Sequence, residues 1–346
     1  MTTQALVSIL IPVYNARPWI SQAIESALGQ TWPRIEIIVL DDGSTDGSWE
    51  AMTPWAAKVR IERSLENRGQ NASRNHLNSL CQGDWLVYLD ADDELLPDTV
   101  EKKMEFSGLA DCVYGTMDVQ YYRDQTLLTS QTVRASQYAD PLKAAFEWKY
   151  PNTSSVMLRR SALQEVGGWN EDVHNCTDYE LYFRMLLRGM RFVAAPHSVT
   201  VYRQWSTHQA VYQNSVRKTT TRLQVMWAAV AVLEREGKLT SDLRESFSNA
   251  ALSVIRSLHP IDAARAAAEH QKLRGWHPAF LPSRSLFPGH YCLAYELLGF
   301  RAAELLAKVT RWLRPKPSPG LYLHPQAQVT TNELRHLRHD APEKKP

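Results

Sequence analysis

The sequence predicts an α/β fold, a doubly wound and mostly parallel sheet followed by a C-terminal helical extension. The first observation is three short apolar runs, Val7–Val13, Ile35–Leu40 and Trp85–Leu89, that are rich in β-branched and aromatic residues. Runs of this length that end in turn residues are typical of buried strands. The second observation is that helical patterns separate these runs, and a βαβα order indicates helices on both faces of one sheet.

The intervening segments support this order. Pro18 begins a helix in which apolar residues recur at helical spacing from Ile20 to Leu28. Val59–Ile61 is predicted to be a short third strand. A helix over Asn71–Leu80 then leads through Gly83 into the strand Trp85–Leu89. The first half of the chain is therefore expected to form the centre of the sheet.

The middle of the chain adds further elements. Pro97–Phe106 is predicted to be helical and Cys112–Thr116 to be a strand, and residues 118–140 have the polar, β-prone pattern of a hairpin. Val156–Leu158 is expected to return to the sheet. Asp178–Leu187 is predicted to be an amphipathic helix.

A last short strand is expected to begin at Phe192–Val193, and the pattern is helical from Gln213 onward. Proline and charged residues dominate the end of the chain, which is typical of a flexible tail. We therefore expect three parts: a sheet-containing domain over residues 1–212, a helical extension over 213–314 and a tail over 315–346.

The composition of the chain limits the classes of function that it can have. The chain has 346 residues, of which 44% are hydrophobic and 22% charged, as in a globular protein. A net charge of +2 argues against a broad nucleic-acid-binding surface. The four cysteines show no metal-binding or redox spacing, so we expect free thiols in a reducing compartment. They are Cys81, Cys112, Cys176 and Cys292.

Targeting signals are not evident in the sequence. The N-terminal segment lacks a basic region before its apolar run, so we interpret the run as the first strand rather than a signal peptide. The longest apolar stretch, at 225–233, is too short to span a membrane. A cytoplasmic location is the resulting expectation, with peripheral contact to the inner membrane face as an open possibility.

Carboxylates follow two of the predicted strands, at Asp41-Asp42 and at Asp90-Ala91-Asp92. Open α/β sheets bind ligands just beyond the carboxyl ends of their strands. The two aspartates of an extended Asp-x-Asp project to one face, where they repel each other unless a cation lies between them. A divalent metal ion that also contacts a phosphate-bearing ligand explains this pattern. The alternative is that Asp90–Asp93 solvates a turn and caps the helix near Pro97.

Six motifs, taken together, resemble family 2 glycosyltransferases over residues 5–205. In chain order they are VSILIPVYNA, VLDDGSTDGS, NRGQNASRN, YLDADDELLPD, VGGWNED and TDYELYFRML. The resemblance implies the GT-A fold, a nucleotide-sugar donor, Mn²⁺ or Mg²⁺ as cofactor, and transfer with inversion at the anomeric carbon. A UDP-sugar is the favoured donor, since Asp42 and Tyr14 are compatible with uracil, but guanine and thymine donors occur among relatives.

The resemblance assigns the metal to Asp92, with Asp90 supporting it directly or through water. Hard cations take carboxylate and phosphate oxygens, which fits this pair. Arg203, in VYRQWSTHQ, resembles a residue that contacts the diphosphate, and His208 resembles a late metal ligand. A histidine in a polar loop is more often simply exposed, so that alternative stays open for His208.

The nucleotide-contacting residues are also implied by the resemblance. Asp42 is similar to the aspartate that accepts a hydrogen bond from the base, and Asp41 lies nearer the sugar of the nucleotide. Pro12 and Tyr14 resemble positions that contact the base, with the Tyr14 ring packed on it. Arg74 resembles an arginine near the nucleotide. The alternatives are an ordinary core aromatic for Tyr14 and a surface helix charge for Arg74.

Asp178 resembles the catalytic base of the family. Single displacement at an anomeric carbon needs a carboxylate within hydrogen-bonding reach of the acceptor hydroxyl. Many relatives carry Glu-Asp where this chain has Thr177-Asp178. An acid that merely favours the helix N-terminus is the structural alternative. Trp169 is expected to stack on the acceptor sugar, or else to be a core tryptophan.

We therefore expect a metal-dependent inverting glycosyltransferase acting on a glycan or lipid-linked acceptor in cell-surface glycan or polysaccharide synthesis. The Gln-x-x-Arg-Trp motif of processive synthases is absent from the sequence, so one sugar is expected per encounter. A non-catalytic nucleotide-sugar-binding module remains an alternative. A nucleotidyltransferase is disfavoured because PVYNARPW is not a glycine-rich phosphate loop.

Residues 291–314 form an amphipathic pattern with two interpretations. Apolar positions from Leu298 to Trp312 line one helix face, and basic residues such as Arg301 and Lys308 accompany them. Such a helix can rest on a membrane surface. It more often packs on the catalytic domain with a solvated basic face, and packing is the favoured expectation.

Overall fold

The computed structural model describes residues 4–123, 126–205 and 210–312. The predicted tail over 315–346 lies outside these residues. In chain order, the described elements are β1 Val7–Val13, α1 Ile20–Leu28, β2 Ile35–Asp42, α2 Ser48–Met52, β3 Arg60–Ser64, α3 Gln70–Leu80, β4 Trp85–Tyr88, β5 Glu94–Leu95, α4 Thr99–Met104, β6 Cys112–Arg123, β7 Thr126–Val133, α5 Pro141–Phe146, β8 Val156–Arg159, α6 Arg160–Glu165, α7 Thr177–Leu187, β9 Phe192–Trp205, α8 Ala210–Arg235, α9 Ser241–Leu258, α10 Ala263–Trp276 and α11 Gly289–Trp312.

The described strands form one sheet in the order β3-β2-β1-β4-β8-β6-β9-β5, and β7 pairs with β6. The pairs β1–β2, β1–β4 and β2–β3 are all parallel, as the alternation of strands and helices predicts. The carboxyl ends of β1, β2 and β4 therefore meet at one edge, where the predicted aspartates lie. The α/β class and the parallel pairing of the first strands are confirmed.

The second half of the sheet differs from the expectation of a mostly parallel arrangement. β8 pairs antiparallel with both β4 and β6, and β6–β7 is an antiparallel hairpin. Parallel pairing requires a crossover connection from one end of the sheet to the other, and β8 instead enters after a hairpin and α5. The expected last short strand is in fact 14 residues long, and it runs parallel to β6 across a bulge.

One continuous apolar core joins the sheet to the C-terminal helices. It extends from Leu10 in β1 to Ala307 in α11. The Phe146 ring of α5 lies 5.1 Å from Phe183 of α7 and 5.6 Å from Phe247 of α9, measured between centroids. The helical extension is therefore packed on the sheet-containing domain, while the division at residue 212 stays a prediction.

Helix α11 packs on the core through a different face from the one that the sequence pattern predicted. Phe300, Ala303 and Ala307 are buried, whereas Leu298 is 72% and Leu305 65% exposed. Gly299, at φ +80°, interrupts the helix, so its two segments do not continue one helical phase. The predicted apolar face of α11 is thus the one turned to solvent. Within the described residues, no helix is both long and apolar enough to cross a membrane.

Lys103 is a buried cation in α4, between the helix and the sheet. Its side chain is fully buried, and its Nζ has no hydrogen-bond partner within the described residues. Burial lowers the pKa of Lys103 to about 7, although the nearby Cys112 thiol opposes the shift. A buried ammonium without a partner costs stability because its hydration is lost.

We predict that Lys103→Met stabilises the protein most at or below pH 7. The unfolded chain keeps this lysine protonated up to about pH 10.5, whereas the folded chain releases the proton above about pH 7. Between these values the unfolded state binds more protons, so wild-type stability from this group rises with pH. The free energy of unfolding of Lys103→Met should exceed that of wild type by at least about 1 kcal/mol at pH 6.5.

Urea unfolding at pH 6.5, 7.5 and 8.5 measures this difference. The gain in the free energy of unfolding of Lys103→Met over wild type should become smaller as the pH rises. Lys102→Met is the matched control, because Lys102 is partly exposed on the same helix and pairs with Asp98 at 2.7 Å. A gain of equal size at all three pH values would contradict the account.

Candidate active site

A cleft of about 400 Å³ opens at the carboxyl ends of β1, β2 and β4. Five of the predicted site residues line it together, because parallel strands bring their carboxyl ends to one edge. They are Pro12, Tyr14, Asp42, Asp90 and Asp92. The Tyr14 side chain is 51% exposed, so the alternative of a core aromatic does not describe it. The remaining lining residues are Val13, Asn15, Ala16, Trp19, Asn67, Gly69, Gln70, Ser73 and Ala91.

Asp42 organises the wall of the cleft opposite Tyr14. Its carboxylate accepts hydrogen bonds from the backbone N–H of Arg68 at 3.0 Å and of Gly69 at 2.9 Å. Gly69 has φ +91°, a conformation that favours glycine, and α3 begins directly after it. A carboxylate offers about four lone-pair sites, so Asp42 retains capacity for a further donor.

Asp41 lies on the other face of the same strand and is fully buried. Its carboxylate accepts from the Ser44 N–H at 3.1 Å, and it lies 3.2 Å from the Arg63 Nε. Successive side chains of a strand point to opposite faces, so Asp41 and Asp42 do not share the cleft. The Asp41 side chain thus holds the turn after β2, and its expected place near the sugar of the nucleotide stays a prediction.

The Asp-x-Asp loop is held by two arginines from distant parts of the chain. The Arg74 guanidinium pairs with the Asp90 carboxylate at 3.0 Å, and Arg203 donates to the Asp92 carbonyl at 2.9 Å. Arg203 also forms an ion pair with Glu94 and lies over the Trp19 ring. The buried Arg203 side chain therefore positions this loop, and the expected contact with phosphate stays a prediction.

Asp93 does not cap α4, which was the alternative that the sequence left open for Asp90–Asp93. Its side chain is fully buried and accepts a hydrogen bond from the Arg203 N–H at 3.0 Å. Burial raises the pKa of Asp93 well above its ordinary value, and the charges of Asp90 and Asp92 add to the rise. Three acids within four residues thus concentrate negative potential at the cleft.

The residues present fit a divalent cation that is shared with a diphosphate. Among the described residues no three His, Cys, Asp or Glu side chains form a complete metal site. Mg²⁺ and similar hard cations are commonly held by one or two carboxylates together with substrate phosphates and water. Asp92 and Asp90 supply such a pair on the cleft wall. His208 lies outside the described residues.

Arg74 links this wall to the start of α7. It is almost fully buried, so the alternative of a surface helix charge is wrong. Its guanidinium contacts Asp90, donates to Thr177 Oγ1 at 3.3 Å, and lies 4.5 Å from the centre of the Trp169 ring. Trp169 is itself 2% exposed and meets Tyr88 edge-to-face at 5.2 Å. Trp169 is therefore a core tryptophan that supports Arg74, and it does not present a face to an acceptor sugar.

Asp178 occupies the first turn of α7, immediately after Thr177. Its carboxylate accepts a hydrogen bond from the Tyr179 N–H at 2.9 Å. Burial raises the pKa of Asp178, whereas the charges of Arg74 and Lys218 partly oppose that rise. Glu180, two residues further along α7, pairs instead with Arg184 at 2.7 Å. A half-buried carboxylate with a raised pKa has the properties of a general base.

Sequence reasoning missed the contribution of α8 to this region. Lys218 and Arg222 are four residues apart on α8, and their charges act on Cys176 beside the start of α7. The basic spacing "RKTTTR" was visible in the sequence. No pattern in the local sequence indicated that this part of the helical extension would lie beside Asp178.

Comparison with known proteins identifies the class of domain. Residues 8–167 match the family described as Glycosyl transferase family 2. These residues make up less than half of the chain, and over them the resemblance drawn from the motifs is confirmed.

Curated relatives support the same assignment. An uncharacterized glycosyltransferase of Haemophilus influenzae is 40% identical over 104 residues, 29% of this chain and 42% of the relative. The putative teichuronic acid biosynthesis glycosyltransferase TuaG of Bacillus subtilis is 34% identical over 112 residues, 32% of this chain and 44% of the relative. Chondroitin synthase of Escherichia coli is 33% identical over 187 residues, 52% of this chain and 26% of the relative. The chain therefore spans less than half of each of these relatives.

Solved structures confirm the GT-A fold. S. aureus TarS 1-349 in complex with UDP-GlcNAc superposes with a TM-score of 0.51 at 14% identity, covering 89% of this chain and 92% of that chain. The mannosyltransferase PcManGT from Pyrobaculum calidifontis, in complex with GDP-Man and Mn²⁺, gives 0.50 at 18% identity, covering 90% and 87%. At these identities the likeness concerns the fold alone.

Proposed function

We propose that this protein is a metal-dependent inverting glycosyltransferase that moves one sugar from a nucleotide-sugar donor to an acceptor hydroxyl. The observation that carries the proposal is one cleft that gathers Tyr14, Asp42, Asp90 and Asp92, together with Arg74, which connects that cleft to Asp178. A binding site for a nucleotide and its diphosphate thus adjoins a candidate base.

In the proposed mechanism, Tyr14 packs on the base of the nucleotide and Asp42 accepts a hydrogen bond from it. Asp92 and Asp90 hold the divalent cation, which stabilises the charge on the departing nucleoside diphosphate when bound. Asp178 accepts the proton of the acceptor hydroxyl as that oxygen attacks the anomeric carbon. Attack opposite the leaving group inverts the anomeric centre, so an α-linked donor yields a β-linkage.

The names of the relatives suggest the substrate class. TuaG is named for teichuronic acid biosynthesis, and another relative is a chondroitin synthase. TarS and PcManGT were solved with UDP-GlcNAc and GDP-Man respectively, so both uracil and guanine donors fit the fold. We infer a glycan or lipid-linked acceptor in cell-surface polysaccharide synthesis, with UDP-sugars as the favoured donors. The cytoplasmic location stays a prediction.

We predict metal-dependent release of nucleoside diphosphate from one member of a panel of UDP-, GDP- and dTDP-sugars. Slow hydrolysis of the donor reports the chemistry without a known acceptor. Asp92→Asn should lower the rate at least about 100-fold, since the loss of one electrostatic stabiliser commonly has that effect.

Asp178→Asn should lower acceptor-dependent transfer by a similar factor while the Kd for the donor, measured by calorimetry, changes less than threefold.

Glu180→Gln is the matched control for Asp178→Asn, because Glu180 lies in the same helical turn and pairs with Arg184 instead. Its activity should remain within twofold of wild type. Donor binding with no release from any sugar, in the presence of Mn²⁺, would favour the non-catalytic binding module. Unchanged transfer by Asp178→Asn would refute the assignment of the base.

The raised pKa of Asp178 also predicts the pH dependence of transfer. A base must be deprotonated, so activity should fall on the acidic side around a pKa above the ordinary aspartate value of 3.8. Lys218→Met removes a charge that lowers this pKa, so the acidic limb of the kcat/KM profile should move to higher pH. Lys238→Met, at an exposed ion pair with Glu236, should leave the limb in place. A limb that moves to lower pH in Lys218→Met would contradict the account.

We further propose that α11 rests on an anionic membrane surface. Five exposed apolar residues of α11, three before Gly299 and two after it, make up what we call the α11 stripe: Leu293, Leu297, Leu298, Leu305 and Val309. Arg301 lies four residues before Leu305 and Lys308 three residues after it, so both are neighbours of Leu305 on the helix surface. Glu304 does not offset their charge at this surface, because it is buried and pairs with Arg256. Glu296 is the one exposed acid of this segment. Leucines flanked by basic residues are typical of helices that bind anionic lipid.

A second copy of the chain is a less suitable occupant of the α11 stripe. A two-fold contact places identical surfaces opposite each other, which brings basic residues together. The sequence adds Arg311, Arg314 and Lys316 and has no acid between residues 305 and 332. This excess of positive charge therefore favours anionic lipid headgroups over a second copy of the chain as the occupant of the α11 stripe.

Vesicle co-sedimentation tests this surface with phosphatidylglycerol-containing and pure phosphatidylcholine vesicles. We predict at least tenfold tighter binding to the anionic vesicles, weakened at least tenfold in Leu298→Ser/Leu305→Ser and in Arg301→Gln/Lys308→Gln. Leu109→Ser/Leu127→Ser, at exposed leucines of the sheet-containing domain, is the control and should bind as wild type. Equal binding to both vesicle types would contradict the proposal, as would a dimer that Leu298→Ser/Leu305→Ser converts to monomer without any vesicle binding.

A further inference from the structure

A layered aromatic and cationic cluster lies at the start of α7, beside Asp178. The Trp148 ring stacks on Tyr179, the residue after Asp178, with a centroid distance of 3.7 Å and an angle of 6° between the rings. The Arg222 guanidinium of α8 lies 4.1 Å from the centre of the Trp148 ring. The Cys176 Sγ meets the Lys218 carbonyl at 3.7 Å. Helix α8 is thus fixed against the start of α7 at this point.

The backbone on both sides of this cluster adopts an unusual conformation. Trp148 has φ +61° and Cys176 has φ +55°, a region that bulky side chains rarely occupy. Such residues cost free energy and collect at functional sites, where the surrounding structure holds them in place. Here they orient the Trp148 ring and turn the chain into α7 immediately before Asp178.

Within the described residues, no salt bridge neutralises the cations of the cluster, although the charge of Lys218 acts on Asp178. Among the described residues, neither Lys218 nor Arg222 forms an ion pair, and the buried Nε of Arg222 lacks a hydrogen-bond partner. The undescribed residues 206–209 contain no acid, nor do residues 210–215. The Arg222 side chain is half-buried, and a guanidinium in such a place without a carboxylate partner leaves a positive charge that a ligand anion can neutralise. Burial lowers the pKa of Arg222, in agreement with this missing charge.

We propose that Arg222 and Lys218, with Trp148 as an apolar wall, form an oxyanion-binding site for a phosphate or carboxylate group of the acceptor. This inference rests on the proposed function, because Asp178 is the group that receives the acceptor hydroxyl. Guanidinium groups bind phosphates and carboxylates through paired N–H donors. An anionic group held by Arg222 places a neighbouring hydroxyl of the same acceptor beside Asp178. The acceptor is then an anionic glycan or a phosphate-containing polymer rather than a neutral sugar.

Binding of simple anions tests this site without any transfer reaction. Inorganic phosphate and glucuronate are titrated into the full chain, and binding is followed by calorimetry and by the thermal unfolding midpoint. We expect saturable binding of at least one probe that weakens at least tenfold in Arg222→Met and at least threefold in Lys218→Met. Tighter binding of phosphate indicates a phosphate-bearing acceptor, and tighter binding of glucuronate indicates a uronate.

Two controls separate this site from other positive surfaces. Arg217→Met changes an exposed neighbour on α8 and should bind the probe as wild type, and Asp92→Asn should do the same because it alters only the donor cleft. Equal binding by wild type and Arg222→Met, when both are folded by circular dichroism, would overturn the proposal. So would the loss of probe binding in Asp92→Asn. Neither outcome affects donor hydrolysis, so failure here is distinguishable from failure of the proposed function.

Discussion

The guanidinium of Arg74 joins three parts of the chain that are far apart in sequence. It contacts Asp90 after β4 and Thr177 at the start of α7, and it lies over Trp169 from the loop between α6 and α7. A buried guanidinium is stable only where acceptors and an aromatic surface surround it. The position of the Asp-x-Asp loop therefore depends on the same side chain as the position of α7, and the cleft and Asp178 are built as one unit.

The acids of the cleft explain why a second arginine is needed. Asp90, Asp92 and Asp93 would repel one another if all were ionised without counter-charges. Arg74 pairs with Asp90, and the backbone of Arg203 donates to Asp93 while its side chain holds the Asp92 carbonyl. Arg203 lies on β9, so the long last strand brings a cation under the loop. Asp92 and Asp90 both line the cleft, which is where the proposed function places a divalent ion and its diphosphate.

The sequence predicted the parts of the fold that depend on local patterns. Strands β1, β2 and β4, helix α7 and the Asp-x-Asp at the edge of the sheet follow from apolar periodicity and turn chemistry. The direction of β8 and the length of β9 depend on pairing between distant strands, which no local pattern records.

In the site, too, local sequence patterns predicted some residues, whereas others depend on contacts between distant parts of the chain. The residues that line the cleft come directly after strands, and this place in the sequence was enough to predict them. Trp169 was assigned to the ligand because the resemblance gave its place in a motif but not the face on which its side chain lies. Arg222 could not be anticipated, since it reaches Trp148 from a helix more than 70 residues further along the chain. The solvent-facing side of α11 depends likewise on which face meets the core.

The most direct test of this account is the affinity of nucleoside diphosphate, with and without Mn²⁺, in wild type and Arg74→Met. The nucleotide is the one selected by the donor panel, and calorimetry gives the Kd. Because Arg74 fixes Asp90, the account predicts that Mn²⁺ tightens binding in wild type and that Arg74→Met loses at least tenfold of that gain. Arg60→Met, at an exposed pair with Glu62, should behave as wild type. A folded Arg74→Met that keeps the full effect of Mn²⁺ would contradict the central role of this side chain.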